Sequence, residues 1–325
     1  MLRFALFRLL QSTVILFVMS ALVFAGVYAI GNPVDILINP QANQAEIAAA
    51  TAALGLDQPL WRQYWNFIVG AFSGDLGKSF AANVPAVHLI FERMPATLEL
   101  ALAATLIAVT LGIPLGLFAG LKPDTWIGRT IMAGSILGFS LPTFWVGLML
   151  IMVFSVWLGW LPPTGRGETA MVLGVPVSLL TRDGLMHLFM PALNLALFKL
   201  SLLIRLTRAG TREALAQDYV RFARAKGLSM ERVVRVHVLK NIMIPIVTVT
   251  GLEFGSLIAF AIVTETIFAW PGMGKLLIDS INVLDRPVIV AYLLIIVFLF
   301  VVINLAVDLA YTALDPRVRI SGRSA

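Results

Sequence analysis

The 325-residue sequence contains no cysteine. Disulfide frameworks, thiolate metal sites, redox motifs and cysteine nucleophiles are therefore all excluded. Charged residues are also scarce, at 13% of the chain, whereas 59% of the residues are hydrophobic. This balance predicts a membrane protein rather than a soluble one. A net charge of +6 would suggest nucleic acid as a partner of a soluble protein, but in a membrane protein the positions of the basic residues matter more, and we expect no nucleic-acid partner.

Residue patterns typical of an enzyme site are missing as well. His88, His187 and His237 are far apart and lack the i, i+4 spacing of a helix-borne metal site. The sequence GKS at 77–79 looks like the end of a phosphate-binding loop, but Phe72 stands where the first glycine should be. We therefore expect this chain to catalyse no reaction and to bind no metal or cofactor of its own.

Six apolar stretches are long enough to cross a bilayer, which takes about 20 helical residues. They lie near 9–30, 97–121, 131–158, 187–206, 242–268 and 288–314. Five tryptophans at or near span ends fit an interface position: Trp126, Trp145, Trp157, Trp160 and Trp270. The first stretch is too long for a cleaved signal peptide, so we expect it to remain as a helix. The sequence predicts an all-α membrane protein with six transmembrane helices.

The basic residues predict the orientation of these helices. The N-terminus, the 122–130 loop, the 205–241 loop and the C-terminal tail together hold 16 of the 24 lysines and arginines. Because positive residues mark the cytoplasmic side, we expect both termini in the cytoplasm. Residues 31–96 then lie outside, in a small helical periplasmic segment.

Three regions follow from this layout. Residues 1–96 hold the first helix and the periplasmic segment, in which Leu60, Tyr64, Phe67 and Ile68 form an apolar stripe at helical spacing that we expect to pack on the bundle or lie in the interface. Residues 97–315 form a core of five helices with a cytoplasmic loop at about 207–241, and 316–325 form a cytoplasmic tail.

Glycines and a proline shape the predicted spans. Gly112, Gly116 and Gly120 share one face of the second span, which predicts close approach of another helix. Gly251 and Gly255 do the same in the fifth span. Pro142 breaks a helical hydrogen bond in the third span, and such kinks in a bundle commonly shape a cavity.

An ionisable side chain inside a membrane span costs free energy, so its presence indicates a structural or functional role. Glu99, Glu265 and Asp308 lie close to span ends, and we interpret them as structural charges. Glu99 and Glu265 are expected to reach interfacial water, and Asp308 to be hydrated or to pair with a backbone group or an arginine. Lys199 and Glu253 are deeper, in consecutive antiparallel spans. Two interpretations stay open for these two residues: they pair with each other, or either lines a polar translocation pathway. Lys199 alone could also snorkel toward the cytoplasm.

The sequence DYVRFARAKGLSMERV at 218–233 predicts two helices separated by a sharp turn. Asp218 is the expected N-cap of the first helix. Gly227 is expected to end that helix, because helices commonly end at a residue in the left-handed conformation and glycine adopts it at the lowest energetic cost. Ser229 can cap the second helix, and Glu231 lies in its first turn.

The first of these short helices has two distinct faces. Tyr219, Phe222 and Ala223 are expected on one face, and Arg221 and Arg224 on another. The positive-inside rule explains the arginines but not a capped aromatic helix ended by glycine. We therefore predict a docking helix.

Several motifs along the chain resemble the permease subunits of binding-protein-dependent ABC importers, in the dipeptide, oligopeptide and nickel branch. They are LGLDQPLWRQY, GDLGKS, PATLELALAA, DYVRFARAKGLS, IPIVTV, TETIFAWPGMGKLL, NLAVDLAY and LDPRVR. The family's Glu-Ala-Ala positions read Arg-Phe-Ala at 221–223, and its Ile-x-Leu-Pro end reads Ile-Met-Ile-Pro at 242–245. Both departures are similar to the peptide branch.

The resemblance implies a type I ABC importer permease of the bacterial inner membrane. Its coupling helix would comprise Asp218, Tyr219, Arg221, Phe222, Ala223, Arg224, Ala225, Lys226 and Gly227. Its partners would be a second, paralogous permease, two ABC ATPases that carry ATP and magnesium, and an external solute-binding protein. Di- or oligopeptides are the expected solutes, and nickel or glutathione are alternatives. An ion-gradient-driven secondary transporter is the alternative of another class.

Overall fold

The structure, a computed structural model, describes residues 2–29, 43–53 and 55–314, which are mostly helical. The α-helices are α1 (Leu2–Ala29), α2 (Gln44–Ala53), α3 (Leu60–Phe72), α4 (Ala86–Leu121), α5 (Trp126–Ser140), α6 (Thr143–Leu150), α7 (Arg182–Ala216), α8 (Asp218–Ala225), α9 (Met230–Val233), α10 (Leu239–Ile267), α11 (Met273–Asn282) and α12 (Arg286–Leu314). A π-helical segment, Ile151–Trp157, extends α6, and a second, Val234–Val238, joins α9 to α10.

One small hairpin adds to the helices that the sequence predicted. Strands β1 (Ala170–Val172) and β2 (Val175–Val177) pair antiparallel, with Val172 opposite Val175. Leu173 and Gly174 connect them, with φ of 49° and 82°. Positive φ at both positions is what a two-residue type I′ turn requires. The hairpin was not predicted because three-residue strands are too short to show an alternating pattern.

Four described helices are long and apolar enough to cross a membrane: Ala86–Leu121, Arg182–Ala216, Met230–Ile267 and Arg286–Val307. In α1, Thr13–Gly26 forms a shorter apolar helical stretch. Six spans and cytoplasmic termini therefore stay a prediction.

The third predicted span is not one helix. Helices α5 and α6 pass the same test only as a pair, and their axes differ by 107°. The kink expected at Pro142 is confirmed, since this residue immediately precedes α6. A single helix over 131–158 was the wrong expectation, because two non-helical residues and a fixed proline φ reorient the chain.

Contacts divide the chain into two units, the first of which comprises Met1–Thr97 and Ala269–Val301. Within it, α3 packs on α1. The ring centroids of Tyr64 and Phe67 lie 5.3 and 5.9 Å from that of Phe24, and the Tyr64 hydroxyl lies 2.9 Å from Ser20 Oγ. Packing of the predicted stripe is therefore confirmed for Tyr64 and Phe67, whereas Leu60 is exposed.

Trp270 belongs to the interior of the first unit. The side chain is fully buried, and its Nε1 donates a hydrogen bond to the carbonyl of Ala96 at 2.9 Å. Close by, the backbone N–H of Met273 donates to Thr97 Oγ1 at 2.8 Å. A bilayer-interface position for Trp270 was therefore wrong, because a carbonyl of the protein satisfies its indole N–H instead of interfacial water.

The second unit comprises Leu98–Phe268 and Val302–Ala325. Here the glycine face of α4 packs against α7. A Cβ at Gly116 would lie 2.6 Å from the carbonyl oxygen of Ile204, and one at Gly120 would lie 2.7 Å from Thr211 Cβ. Close helix approach through these glycines is thus confirmed.

Candidate functional site

The predicted docking helix exists as α8, which follows α7 after the single residue Gln217. Gln217 is the N-cap, with φ −75° and ψ 150°, and its side chain makes no capping bond. The assignment of Asp218 as N-cap was therefore wrong, because its backbone is already helical. Its carboxylate still lies in the first turn, where the helix dipole favours an anion, and 3.5 Å from Arg221 Nη1.

The end of α8 agrees with the sequence. Gly227 has a φ of 80°, and its N–H donates to the carbonyl of Arg224 at 2.9 Å, while the N–H of Leu228 donates to that of Ala223 at 3.2 Å. These two bonds form a Schellman motif. Ser229 Oγ then accepts the N–H of Arg232 at the start of α9, as predicted.

The two faces of α8 differ partly from the prediction. Val220 and Ala223 are buried, with 4% and 5% of their surface exposed. Phe222 is 63% exposed and Tyr219 37%. Placing Ala223 on the docking face was wrong, because Val220 and Ala223, at i, i+3 spacing, together hold the helix on its own chain. That spacing was the sequence signal that we overlooked.

The exposed surface of α8 is aromatic and basic. Lys226 Nζ lies 4.5 Å from the centre of the Phe222 ring, and the side chains of Arg221, Arg224 and Ala225 are exposed as well. On one edge, the Tyr219 ring lies 6.4 Å from that of His237. A protruding phenyl ring surrounded by cations can insert into an apolar cleft that has an acidic rim.

The deep charged residues Lys199 and Glu253 form an ion pair between α7 and α10. Lys199 is buried, and its Nζ also lies 5.2 Å from the centre of the Phe198 ring. Pairing, the first of the two interpretations, is confirmed. Lining of a pathway by either residue stays a prediction.

Glu99 and Glu265 were expected to reach interfacial water, but the structure buries both side chains. Glu99 instead pairs with Arg166, whose Nη2 lies 2.7 Å from Glu99 Oε2. The structural interpretation of Glu99 is therefore correct and its hydration wrong. Nothing in the sequence connected two residues that are 67 positions apart. The side chain of Asp308 lies outside the described residues.

The GKS sequence at 77–79 forms a turn in which carboxylates accept hydrogen bonds from Gly77 and Ser79. The carboxylate of Asp285 accepts the hydroxyl of Ser79 and the backbone N–H groups of Phe80 and Ala81, at 3.0 and 3.4 Å. Asp75 Oδ1 accepts the N–H of Gly77 at 2.9 Å. Because two carboxylates fill the positions that phosphate oxygens take in a phosphate-binding loop, this turn is structural.

Comparison with known proteins places the chain in a family. Residues 112–320 match the family described as binding-protein-dependent transport system inner membrane component, and residues 1–101 match the corresponding N-terminal family.

Curated proteins of similar sequence are also transport-system permeases. The di/tripeptide transport system permease protein DppB of Pseudomonas aeruginosa (strain UCBPP-PA14) is 41% identical over 302 residues, covering 89% of this chain and 90% of the relative. The dipeptide permease DppB of Escherichia coli (strain K12) is 39% identical over 317 residues, covering 92% and 94%. The glutathione permease GsiC of the same strain is 39% identical over 320 residues, covering 98% and 99%.

A solved structure supports the fold. The MetNI methionine ABC transporter in an inward-facing conformation matches with a TM-score of 0.54 and 16% identity, covering 70% of this chain and 97% of that chain. With its apolar helices, the chain is a multi-pass membrane permease, and it belongs to the family of inner membrane components of binding-protein-dependent transport systems.

Proposed function

We propose that this chain forms half of the translocation pathway of an ATP-driven importer for di- and oligopeptides in the bacterial inner membrane. The observation that carries the coupling part of the proposal is the exposed Phe222 on a short helix whose opposite face is buried. Val220 and Ala223 anchor α8 to its own chain, and the Gly227 turn joins it to the helix Met230–Ile267. A displacement of α8 by a partner therefore acts on a helix long enough to cross the membrane.

The partners follow from the same proposal. A second, paralogous permease would complete the pathway, two ABC ATPases would bind ATP and magnesium, and an external solute-binding protein would deliver the solute. Residues 97–315 would form the permease core, with the coupling loop at about 207–241. Lys199 and Glu253 would lie close to the pathway, at the depth where α7 and α10 pack.

Short peptides are the solute class that the relatives favour, since the names of the permeases cited above refer to dipeptides, di- and tripeptides, and glutathione, which is itself a tripeptide. Nickel stays an alternative. An ion-gradient-driven carrier is disfavoured because the chain belongs to a family of binding-protein-dependent systems.

The test is uptake by the reconstituted complex. Vesicles that contain the chain, its partner permease, both ATPases and the solute-binding protein should accumulate labelled dipeptide only with ATP on the ATPase side. Phe222→Ala should lower both ATPase co-purification and uptake by about tenfold or more, the usual effect of removing a central aromatic anchor. Phe260→Ala, which removes an exposed ring from α10, is the matched control. Uptake by this chain alone on an ion gradient would refute the proposal.

A further inference from the structure

The break between α5 and α6 consists of two non-helical residues, Leu141 and Pro142, flanked by the exposed ends of both helices. Residues 139–145 are all exposed, from Phe139 through Ser140 and Thr143 to Trp145. The two helices meet there at 107°. Within a predicted transmembrane span, such a stretch needs a physical explanation.

Packing shows that this break lies at mid-depth. On one side of it, a Cβ at Gly138 would lie 2.8 Å from Ser201 Oγ, and on the other side a Cβ at Gly147 would lie 3.5 Å from Asn194 Nδ2. Residues 194–201 lie at the middle of α7, whose 35 residues run from Arg182 to Ala216. They also lie at the centre of the predicted span 187–206, whose residues, at about 1.5 Å each, match a hydrocarbon core about 30 Å thick.

Backbone groups at the break lack helical partners. Pro142 has no N–H, so the carbonyl of Gly138 loses its usual i+4 donor. Pro142 also precedes α6 and supplies no side-chain bond to the first N–H groups of that helix. Lipid offers no hydrogen bonds, and non-helical backbone at membrane depth is tolerated only where protein buries it or where it faces a water-filled cavity. This face of the chain therefore does not face lipid.

The side chains around the break combine exposed aromatic rings with polar groups. Ser140 and Thr143 expose hydroxyl-bearing side chains. The Arg205 guanidinium lies 4.6 Å from the centre of the Phe139 ring, which in turn stacks on Phe198 at 4.8 Å. Among the described residues no carboxylate pairs with Arg205, and its Nε is buried without a hydrogen-bond partner. In an aqueous passage water can solvate the rest of this guanidinium, whereas a dry interface would require a buried counter-charge.

We infer that the break at 139–145, with the Phe198 side of α7, lines the water-filled passage through which the solute moves. This inference rests on the proposed transport function and adds which surface of the chain the solute meets. Hydroxyls, backbone carbonyls, aromatic rings and the Arg205 guanidinium offer hydrogen bonds and apolar contact. Such a surface fits short peptides with varied side chains.

The absence of cysteine makes the test direct, because any single cysteine is the only thiol of this chain. Ser140→Cys and Thr143→Cys would be prepared in the complete complex with cysteine-free partners, reconstituted in vesicles. Leu106→Cys and Phe260→Cys, at exposed apolar positions on the unbroken helices α4 and α10, are the matched controls. Each variant would be treated with a charged, membrane-impermeant methanethiosulfonate and with a lipophilic maleimide, with and without ATP.

Cysteines at 140 and 143 should react with the charged reagent at least about tenfold faster than the controls in one nucleotide state, because the reactive thiolate forms only in water. Saturating dipeptide should slow this reaction. Labelling by the lipophilic reagent alone, or by neither reagent in any state, would overturn the inference. ATP-dependent uptake by the cysteine-free parent complex, measured in parallel, tests the transport function separately.

Discussion

Arg166 and Glu99 hold a loop and a helix together through an ion pair in which the Glu99 carboxylate is buried and accepts several hydrogen bonds. Arg166 Nη2 lies 2.7 Å from Glu99 Oε2 and from the carbonyl of Pro176. The other oxygen of Glu99 accepts the N–H groups of Ser178 and Leu179, at 2.6 and 2.8 Å. The hairpin β1–β2 is thereby fixed to the first half of α4.

Removal of one partner of this ion pair should lower the free energy of unfolding. Arg166→Met leaves the Glu99 carboxylate buried without its counter-charge, and the expected loss is about 3–5 kcal/mol of unfolding free energy. The double variant with Glu99→Gln should be more stable than Arg166→Met alone. Lys275→Met, which breaks a more exposed pair with Asp279, should cost about 0–1 kcal/mol. Thermal unfolding in detergent measures all of these variants, and equal losses for Arg166 and Lys275 would contradict the role given to Arg166.

The glycine face of α4 should not tolerate a methyl group. Gly116→Ala places a Cβ 2.6 Å from the carbonyl oxygen of Ile204, so α4 and α7 must move apart at an expected cost of about 1–3 kcal/mol. Gly134→Ala on α5 is the control, because its Cβ meets nothing within 4 Å. That control should be neutral or slightly stabilising, since alanine favours a helix over glycine. Melting temperatures that fall equally for both variants would exclude close packing as the cause.

A substitution at Gly227 should destabilise the turn through backbone strain rather than through a steric clash. A Cβ at this position meets nothing within 4 Å, but φ is 80°, which costs an L-residue about 1–2 kcal/mol. Gly227→Val should therefore increase hydrogen exchange in α8 and weaken ATPase association. Asparagine tolerates the left-handed region, so Gly227→Asn should remain close to the parent. Full association of the valine variant would contradict the need for a rigid end of α8.

Asp285 should control the order of the 77–85 turn. Asp285→Ala removes the acceptor of one hydroxyl and two N–H groups, with an expected cost of about 1–3 kcal/mol. Hydrogen exchange at Phe80 and Ala81 should accelerate strongly. Asp279→Ala, at an exposed carboxylate of the same unit, should leave both amides protected. Unchanged protection in the Asp285 variant would show that the turn is held by other contacts.

Local sequence signals predicted much of this structure. Apolar length gave the long helices, and the spacing of Gly112, Gly116 and Gly120 predicted the close contact that α4 makes with α7. The Gly227 stop and the Ser229 cap were predicted because each depends on residues within one turn.

Features that depend on distant residues were missed. Arg166 and its partner Glu99 are 67 residues apart in the sequence, and Asp285 and Ser79 are 206 residues apart. The periodicity of a sequence cannot indicate pairs at such separations. The inward orientation of Ala223 depends on where α7 and α9 lie around α8. Pro142 marked a kink, but the 107° bend depends on how α5 and α6 each pack on α7.

The helix Met230–Ile267 can transmit a displacement from one of its ends to the other. One end continues from the Gly227 turn of α8, and at the other end the carbonyl of Phe268 accepts the N–H of Gly165 at 2.8 Å. Its 38 residues correspond to a rod about 57 Å long. A displacement of α8 should therefore be transmitted along this helix and displace the segment around Gly165 at its far end. A distance probe there would report nucleotide binding without touching either the ATPase or the solute.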